Sequence, residues 1–221
     1  MIREDYIMRM IEQFMQGLAL ILSSKLKERW KEMDENIGAL CEKLLGTDYQ
    51  MIRHVEPEDI VDLLRNGTFV DPARAFVLAR LFYEQADALV KREQLLAAQT
   101  LFFKAAILFM EIIRSGNQQL SSQSQEKVEA IIPHIPRALQ TVAFQHRLFE
   151  YYELTGAFAK AENILFELAE KDVAGIFEDG ILFYSRVAKK TEHELEKGNF
   201  SNAEVDEGKA DFIRKFMRTK S

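Results

Sequence analysis

Apolar residues recur three and four positions apart along nearly the whole of this chain, a period that commits it to amphipathic helices. Near the N-terminus the series runs Ile7, Ile11, Phe14, Leu18 and Ile21, widened by Met8, Met15 and Leu22. It resumes with Leu26, Trp30, Met33, Ile37, Leu40 and Leu44 and stops at Gly46, a residue suited to the left-handed end of a helix. Residues 2–45 therefore read as one very long helix, or as two joined near Ser23-Ser24 or Asp34. Further on, Ala75, Ala79, Phe82, Ala86 and Leu89 share one face, and Leu95, Ala98, Phe102, Ala105, Phe109 and Ile112 share another. Two such segments joined by a short turn fold back as an αα-hairpin to bury those faces. Only four prolines and ten glycines interrupt the 221 residues, and runs of alternating Val, Ile and Thr are missing. The expected fold class is all-α, with antiparallel helical hairpins following a long N-terminal helical segment.

Local signals place the punctuation. Pro57 followed by Glu58-Asp59 starts a short helix that stops at Asn66-Gly67, and Asp71-Pro72 starts another that runs to about Lys91. The expected organisation is an N-terminal long-helix segment over 1–68 and a hairpin domain over 69–221. Ser115 to Gln125 is rich in Ser, Gln and Gly and reads as an exposed loop, closed by a Ser122/Gln125 capping box. A helix through Val128 and Ile132 ends at Pro133, and the Pro133-His134-Ile135-Pro136 cluster starts one reaching Gly156. Helices over 157–171, 174–197 and 200–218 complete the chain, the last a polar cap docked by Phe212, Ile213 and Phe216.

Charge narrows the partners. With a formal net charge of -6 the chain has no general basic surface for a phosphate backbone, so nucleic acid is not expected. The apolar N-terminal stretch is broken by Arg9, Glu12, Gln13 and Gln16, and its longest run, Leu18 to Leu22, is too short for a bilayer. Cys41 is alone and sits in a helical pattern where a buried thiol is expected. These features predict a cytoplasmic protein without a membrane partner. The N-terminal stripe has two readings: it packs on the rest of its own chain, or it is a seam for a homodimer through the N-terminal helices.

The sharpest internal signal is a repeat. Gly156-Ala157-Phe158-Ala159-Lys160-Ala161-Glu162 matches Gly198-Asn199-Phe200-Ser201-Asn202-Ala203-Glu204 as G-x-F-x-x-A-E, and Glu93-x-Leu95-x-x-Ala98 is a copy that has lost the glycine. The glycine lets a helix stop, the aromatic closes the hairpin base and the small Ala permits close helix approach. This pattern, with Tyr152, Leu165 and Leu168, resembles the tetratricopeptide repeat over roughly residues 71–218. The spacing departs from the family's regular period of about 34 residues, which implies an irregular tetratricopeptide-like superhelix. The opening Met1-Ile2-Arg3-Glu4-Asp5-Tyr6-Ile7-Met8-Arg9-Met10-Ile11-Glu12 resembles the start of an uncharacterised family of proteins from Firmicutes bacteria, which implies a bacterial origin and no particular activity.

No glycine-rich phosphate loop, G-x-S-x-G elbow or zinc-type Cys/His spacing occurs, so neither an enzyme, a cofactor nor a metal is expected. His146 and Glu150 are four apart on a helix, but such pairs are common on charged faces. The tetratricopeptide resemblance implies a groove lined by the first helix of each hairpin: Arg80, Tyr83, Glu84 and Asp87, then His146, Arg147, Glu150 and Glu153, then Ser185, Lys189 and Glu192. Tyr83, Tyr151 and Tyr184 are candidate peptide anchors. The expected function is a protein–protein interaction module that binds a peptide or helix of another protein. The alternative is a helical enzyme or small-ligand binder with a pocket between the two halves, near His134 and His146.

Overall fold

The computed structural model describes residues 2–67 and 69–219. Among them the chain forms twelve α-helices and one minimal antiparallel β-hairpin, so the protein is all-α. It divides into two compact units, Met1–Leu139 and Gln140–Ser221.

In the first unit α1 (Ile2–Leu26) and α2 (Trp30–Leu45) make one hairpin, and α5 (Pro72–Lys91) and α6 (Leu95–Arg114) make a second. Short helices α3 (Tyr49–Ile52) and α4 (Pro57–Leu63) lie between them, and α7 (Gln118–Ile131) packs along α6. The N-terminal stripe is used internally: Ile7, Phe14, Leu18 and Ile21 are buried, and Phe14 meets Phe76 of α5 edge to face at 6.2 Å. Gly17 has no side chain because Leu40 of α2 fills the space a Cβ would need. Leu26, a member of the stripe by spacing, is instead 82% exposed. Helix α6 has the length and apolar composition of a membrane span, but most of its apolar window is buried inside the fold.

The boundary read near residues 67–71 is a turn within this first unit. Strand β1 (Arg65–Asn66) pairs with β2 (Phe69–Val70) around Gly67, whose φ is +69°, and α5 after the turn packs on α1 and α2 before it. Asn66-Gly67, read as a helix stop, is thus a hairpin turn as well. The stretch expected as a loop, 115–125, is mostly helical. Asn117 caps α7 by accepting from the Leu120 amide at 3.1 Å, and Leu120, Ser124, Val128 and Ile131 bury one face.

The second unit holds α8 (Val142–Leu154), α9 (Phe158–Glu170), α10 (Ile176–Val187), α11 (Glu192–Lys197) and α12 (Asn202–Thr219). Helix α8 starts at Val142, capped by Thr141, later than the proline cluster predicted. The single helix expected over 174–197 is two, because Thr191 and Glu194 form a reciprocal capping box that begins α11 anew. Phe212 of α12 docks as expected, fully buried over Gly180, where a Cβ would overlap its ring.

One turn geometry recurs. Glu28, Glu93, Gly156, Asp172 and Asn199 have φ between +49° and +76°, and each follows the last turn of a helix. In each case the next residue's N–H reaches back five positions: Arg29 to Ser24 O, Gln94 to Leu89 O, Ala157 to Tyr152 O, Val173 to Leu168 O and Phe200 to Leu195 O, at 2.8–3.4 Å. The left-handed residue itself donates three positions back, which completes the Schellman motif. Every positive-φ residue other than glycine among the described residues sits in one of these five turns. The copies at Glu93 and Gly156 share geometry, each followed by one residue with ψ of 61° or 60° and a helix start at Leu95 or Phe158.

The third copy is out of register. Gly198 has φ -82° and Asn199 takes the left-handed position. Its glycine is required for another reason: a Cβ there would overlap Gly156 O and lie 2.5 Å from the Phe158 ring. The two repeat motifs meet here, with Ala159 N donating to Gly198 O at 3.2 Å.

Holding a glutamate in the left-handed region costs about 1 kcal/mol, part of which glycine's greater chain entropy gives back. Glu93→Gly and Glu28→Gly are each expected to raise stability by about 0.5–1 kcal/mol, or roughly 1–3 °C in thermal melting. A fall in melting temperature for both would show that the left-handed turns are not carrying strain.

Candidate functional site

In the first unit the expected groove residues of α5 form an ion-pair network. Glu84 is 2% exposed and is held by Lys25 of α1 and by Arg80, whose Nη2 lies 2.8 Å away. Lys25 also meets Asp87 at 2.9 Å. Burial would lower the Lys25 pKa, but hydrogen bonds to Glu84 and Asp87 and their charges outweigh it and hold it above its ordinary value. Tyr83 is half-buried, with the Lys127 ammonium of α7 4.5 Å from its ring centre and Phe102 of α6 edge-on at 5.9 Å. Burial, then the charges of Glu84 and Asp87, raise the Tyr83 pKa. His134 stacks on Phe102 at 4.9 Å. Arg80, Glu84 and Asp87 thus neutralise one another and Lys25 inside the first unit, instead of projecting freely.

The same unit buries a second cation. Lys104 of α6 donates to Arg53 O at 2.8 Å and Val55 O at 2.6 Å, closing the chain that leaves α3, and burial lowers its pKa. Cys41 is fully buried, and burial with the nearby Asp48 charge pushes its thiol up to about 12, which leaves it unreactive at neutral pH. A cleft of about 330 Å³ between α1 and α2, lined by Tyr6, Arg9, Met10, Gln13, Lys43 and Leu44, gave no local signal in the sequence because its two walls are some thirty residues apart.

In the second unit, α8 and α10 are tied side by side. His146 Nε2 lies 2.9 Å from Asp179 Oδ2, and Arg186 donates to both oxygens of Glu153 at 2.5 and 2.8 Å. Phe149 and Phe183 stack edge to face beneath them at 5.5 Å. Glu150, 3.8 Å from His146 Nδ1, remains 37% exposed. The structure therefore gathers His146, Glu150 and Glu153, and adds Asp179 and Arg186, which the sequence reading did not single out. Arg147 lies half-buried on α8 and Ser185 half-buried on α10. Lys189 follows the end of α10 and Glu192 opens α11, both exposed.

Two of the tyrosines considered as peptide anchors are core residues: Tyr151 and Tyr184 are at most 1% exposed. Tyr184 donates to Glu162 Oε1 at 2.6 Å. Gly208 of α12 approaches so closely that a Cβ would overlap that carboxylate. Burial raises the Glu162 pKa, and the like charges of Glu204 and Asp211 add to it against the lowering effect of the Tyr184 bond. No group of three metal-binding side chains converges among the described residues.

These features define an all-α protein of tightly turned helical hairpins in two units, each cross-linked by its own charged network. The chain belongs to a family of unknown function, DUF6483, whose model matches residues 1–217. No curated protein and no solved structure matches it.

Removing the Lys25 charge would leave Glu84 in the interior with Arg80 alone to hold it. Lys25→Met is expected to destabilise the first unit by about 3 kcal/mol, and Lys25→Met with Glu84→Gln to recover a large part of that; equal losses in the two variants, read by chemical denaturation, would contradict the network. For Glu162 the native pKa is raised, so its stabilising contribution is complete below the ordinary carboxylate range and is lost as pH rises through the native value. Glu162→Gln is expected to raise the melting temperature at pH 7 and to match wild type near pH 4; the reverse order would contradict the buried-acid assignment.

Proposed function

We propose that this chain is a tetratricopeptide-like protein-interaction module of the bacterial cytoplasm, which binds a peptide or helix of another protein on the α8/α10 face of its second unit. The observation that carries the reading is the pairing of His146 with Asp179 and of Glu153 with Arg186. It aligns the first helix of one hairpin with the helix that follows, as the first helices of tetratricopeptide-like hairpins line a groove. The shared turn geometry at Glu93 and Gly156 supports the same family likeness.

The exposed charge on this face selects the partner. Glu150 and Asp179 are each 37% exposed, and Glu178 and Glu192 are open to solvent. With Arg186, 51% exposed, and Lys189, open to solvent, beside them, the charge is mixed and suits a segment with polar and basic anchors. Nucleic acid is not the partner in this reading, given the net charge of -6.

Affinity capture from the native cytoplasm with tagged full-length protein tests the reading, followed by titration of the purified partner. Glu150→Arg and Glu192→Arg reverse exposed charges without touching the core. Each is expected to weaken the partner roughly tenfold or more, with the effect reduced at high salt. A partner bound equally by wild type and both variants, or no protein held at all, would overturn the proposal.

A further inference from the structure

Helices α1 and α2 close on each other at Gly17 and Leu40, where a Cβ on the glycine would overlap the leucine methyls. From there they run in opposite directions, so Gln13 is level with Leu44, and the next turn of α1, with Met10, Arg9 and Tyr6, passes the end of α2 at Leu45. That step opens the cleft of about 330 Å³ already described. Its lining divides by chemistry. Met10 and Leu44 are half-buried and apolar, whereas Arg9 of α1 and Lys43 of α2 bring a positive charge from each wall, with the Gln13 amide and the Tyr6 phenol beside them.

Both cations are uncommitted. Among the described residues the side chains of Arg9 and Lys43 make no ion pair or hydrogen bond, although Lys25, Arg29, Lys31, Arg80 and Arg92 of the same unit each meet a carboxylate. Asp5 and Glu12 lie farther round α1, beyond Arg9, and Glu42 lies on the side of α2 opposite Leu40 and Leu44. Asp71, the carboxylate that reaches Tyr6, is already occupied: one oxygen caps α5 through the Ala73 and Arg74 amides, and the other lies 3.3 Å from the Tyr6 hydroxyl. The negative end of α2 is covered as well, by Arg74 Nη2 donating to Leu45 O at 3.2 Å. A chain of net charge -6 thus keeps here a concave site with unpaired positive charge from two helices.

We propose that this cleft binds a small organic anion: an apolar body that lies on Met10 and Leu44, carrying one carboxylate, sulfonate or phosphate group held between Arg9 and Lys43. The guanidinium offers two parallel donors to such a group, and the ammonium adds a point charge from the opposite wall. The Tyr6 hydroxyl has its single proton directed at Asp71 or at the Met10 sulfur, so its oxygen faces the cleft only as an acceptor. It therefore turns the anionic group away from Tyr6 and toward the Arg9 and Lys43 side. The volume falls at the lower end of the roughly 300–1,000 Å³ of small-molecule sites, and a mostly apolar lining with a few convergent polar groups is their usual make-up. The inference is independent of the partner-binding reading, since it uses α1 and α2 and no residue of the α8/α10 face.

Fluorescence titration of the full chain with anilinonaphthalene sulfonate, an aromatic anion of this class, is expected to saturate at one molecule per chain. Arg9→Gln and Lys43→Gln are each expected to weaken binding by about fivefold or more, and the double variant by at least about twentyfold. Lys27→Gln, which removes an exposed charge just past the far end of α1, is expected to leave the titration unchanged. Phenylnaphthylamine, the same rings without the sulfonate, is expected to bind at least about tenfold more weakly. Circular dichroism and thermal melting of the free variants stay those of wild type, because both side chains are exposed. Amide NMR shifts locate the bound anion, with the largest changes expected at Gln13 and Leu44. No saturation up to about 1 mM, a double variant that binds as wild type does, equal affinity for the neutral analogue, or largest shifts on α8 and α10 would overturn the proposal. So would phosphatidylglycerol vesicles bound through Arg9 and Lys43 while the free anion is not. Glu150→Arg is expected to leave the anion titration unchanged, so that loss of partner binding and loss of anion binding are read apart.

Discussion

The structure depends on one backbone device, the helix end closed by a left-handed residue whose successor donates back five positions. A helical hairpin buries its apolar face only if the second helix leaves at a steep angle within two or three residues, and the Schellman closure provides that turn while satisfying the last carbonyls. At Glu28, Glu93 and Gly156 it produces the three hairpins α1/α2, α5/α6 and α8/α9, and at Asp172 and Asn199 it steers the chain into and out of α10 and α11. Four of the five turns accept a side chain where glycine is preferred. At those four positions the packing of the flanking helices offsets the strain of the left-handed side chain.

Once the hairpins are made, two kinds of close contact fix how they pack. Glycines permit the nearest approaches: Gly17 under Leu40, Gly180 under Phe212, and Gly198 against Gly156 and Phe158. Charged networks specify the rest, with Lys25 clamping α1 to Glu84 and Asp87 of α5, and Glu153 and His146 clamping α8 to α10. A buried ion pair adds little net energy, but it penalises any arrangement that separates its members. The first unit thus uses its α5 charges for internal specificity. The second unit uses the same residue types at a partly exposed face, which is why the interaction reading rests there.

Much of the architecture was legible because it follows from local pattern. Helices α2, α4, α5, α6, α9 and α12 were visible in three- and four-residue spacing and in caps such as Asp71 and Gly46. Gly156 announced its turn and marked Glu93 as a degraded copy of it, yet Glu28 gave no signal, since glutamate is a helix former whose left-handed conformation is imposed from outside. The break at Thr191 was readable as a T-x-x-E capping box but was hidden inside an otherwise continuous pattern. Asn117 was hidden the same way, because the polar surface of α7 imitates a loop. The match of Gly198 to Gly156 correctly placed both at bends but gave the wrong reason for the second glycine, whose close approach is a tertiary fact. The candidate site was less legible still. Lys25 lies 59 residues from Glu84, and nothing in local sequence joins them, so a resemblance that implied a groove at Glu84 could not show it already occupied.

The closing hydrogen bonds of those turns hold the hairpins' bends. Native-state hydrogen exchange followed by NMR reads them individually, through the amides of Arg29, Gln94, Ala157 and Phe200. They lie between helices, where open loops exchange quickly, but the Schellman closure predicts that they are protected to the level of the neighbouring helix interiors, by a factor of about a thousand or more. Exchange at the rate of an unstructured loop at these four positions would contradict it.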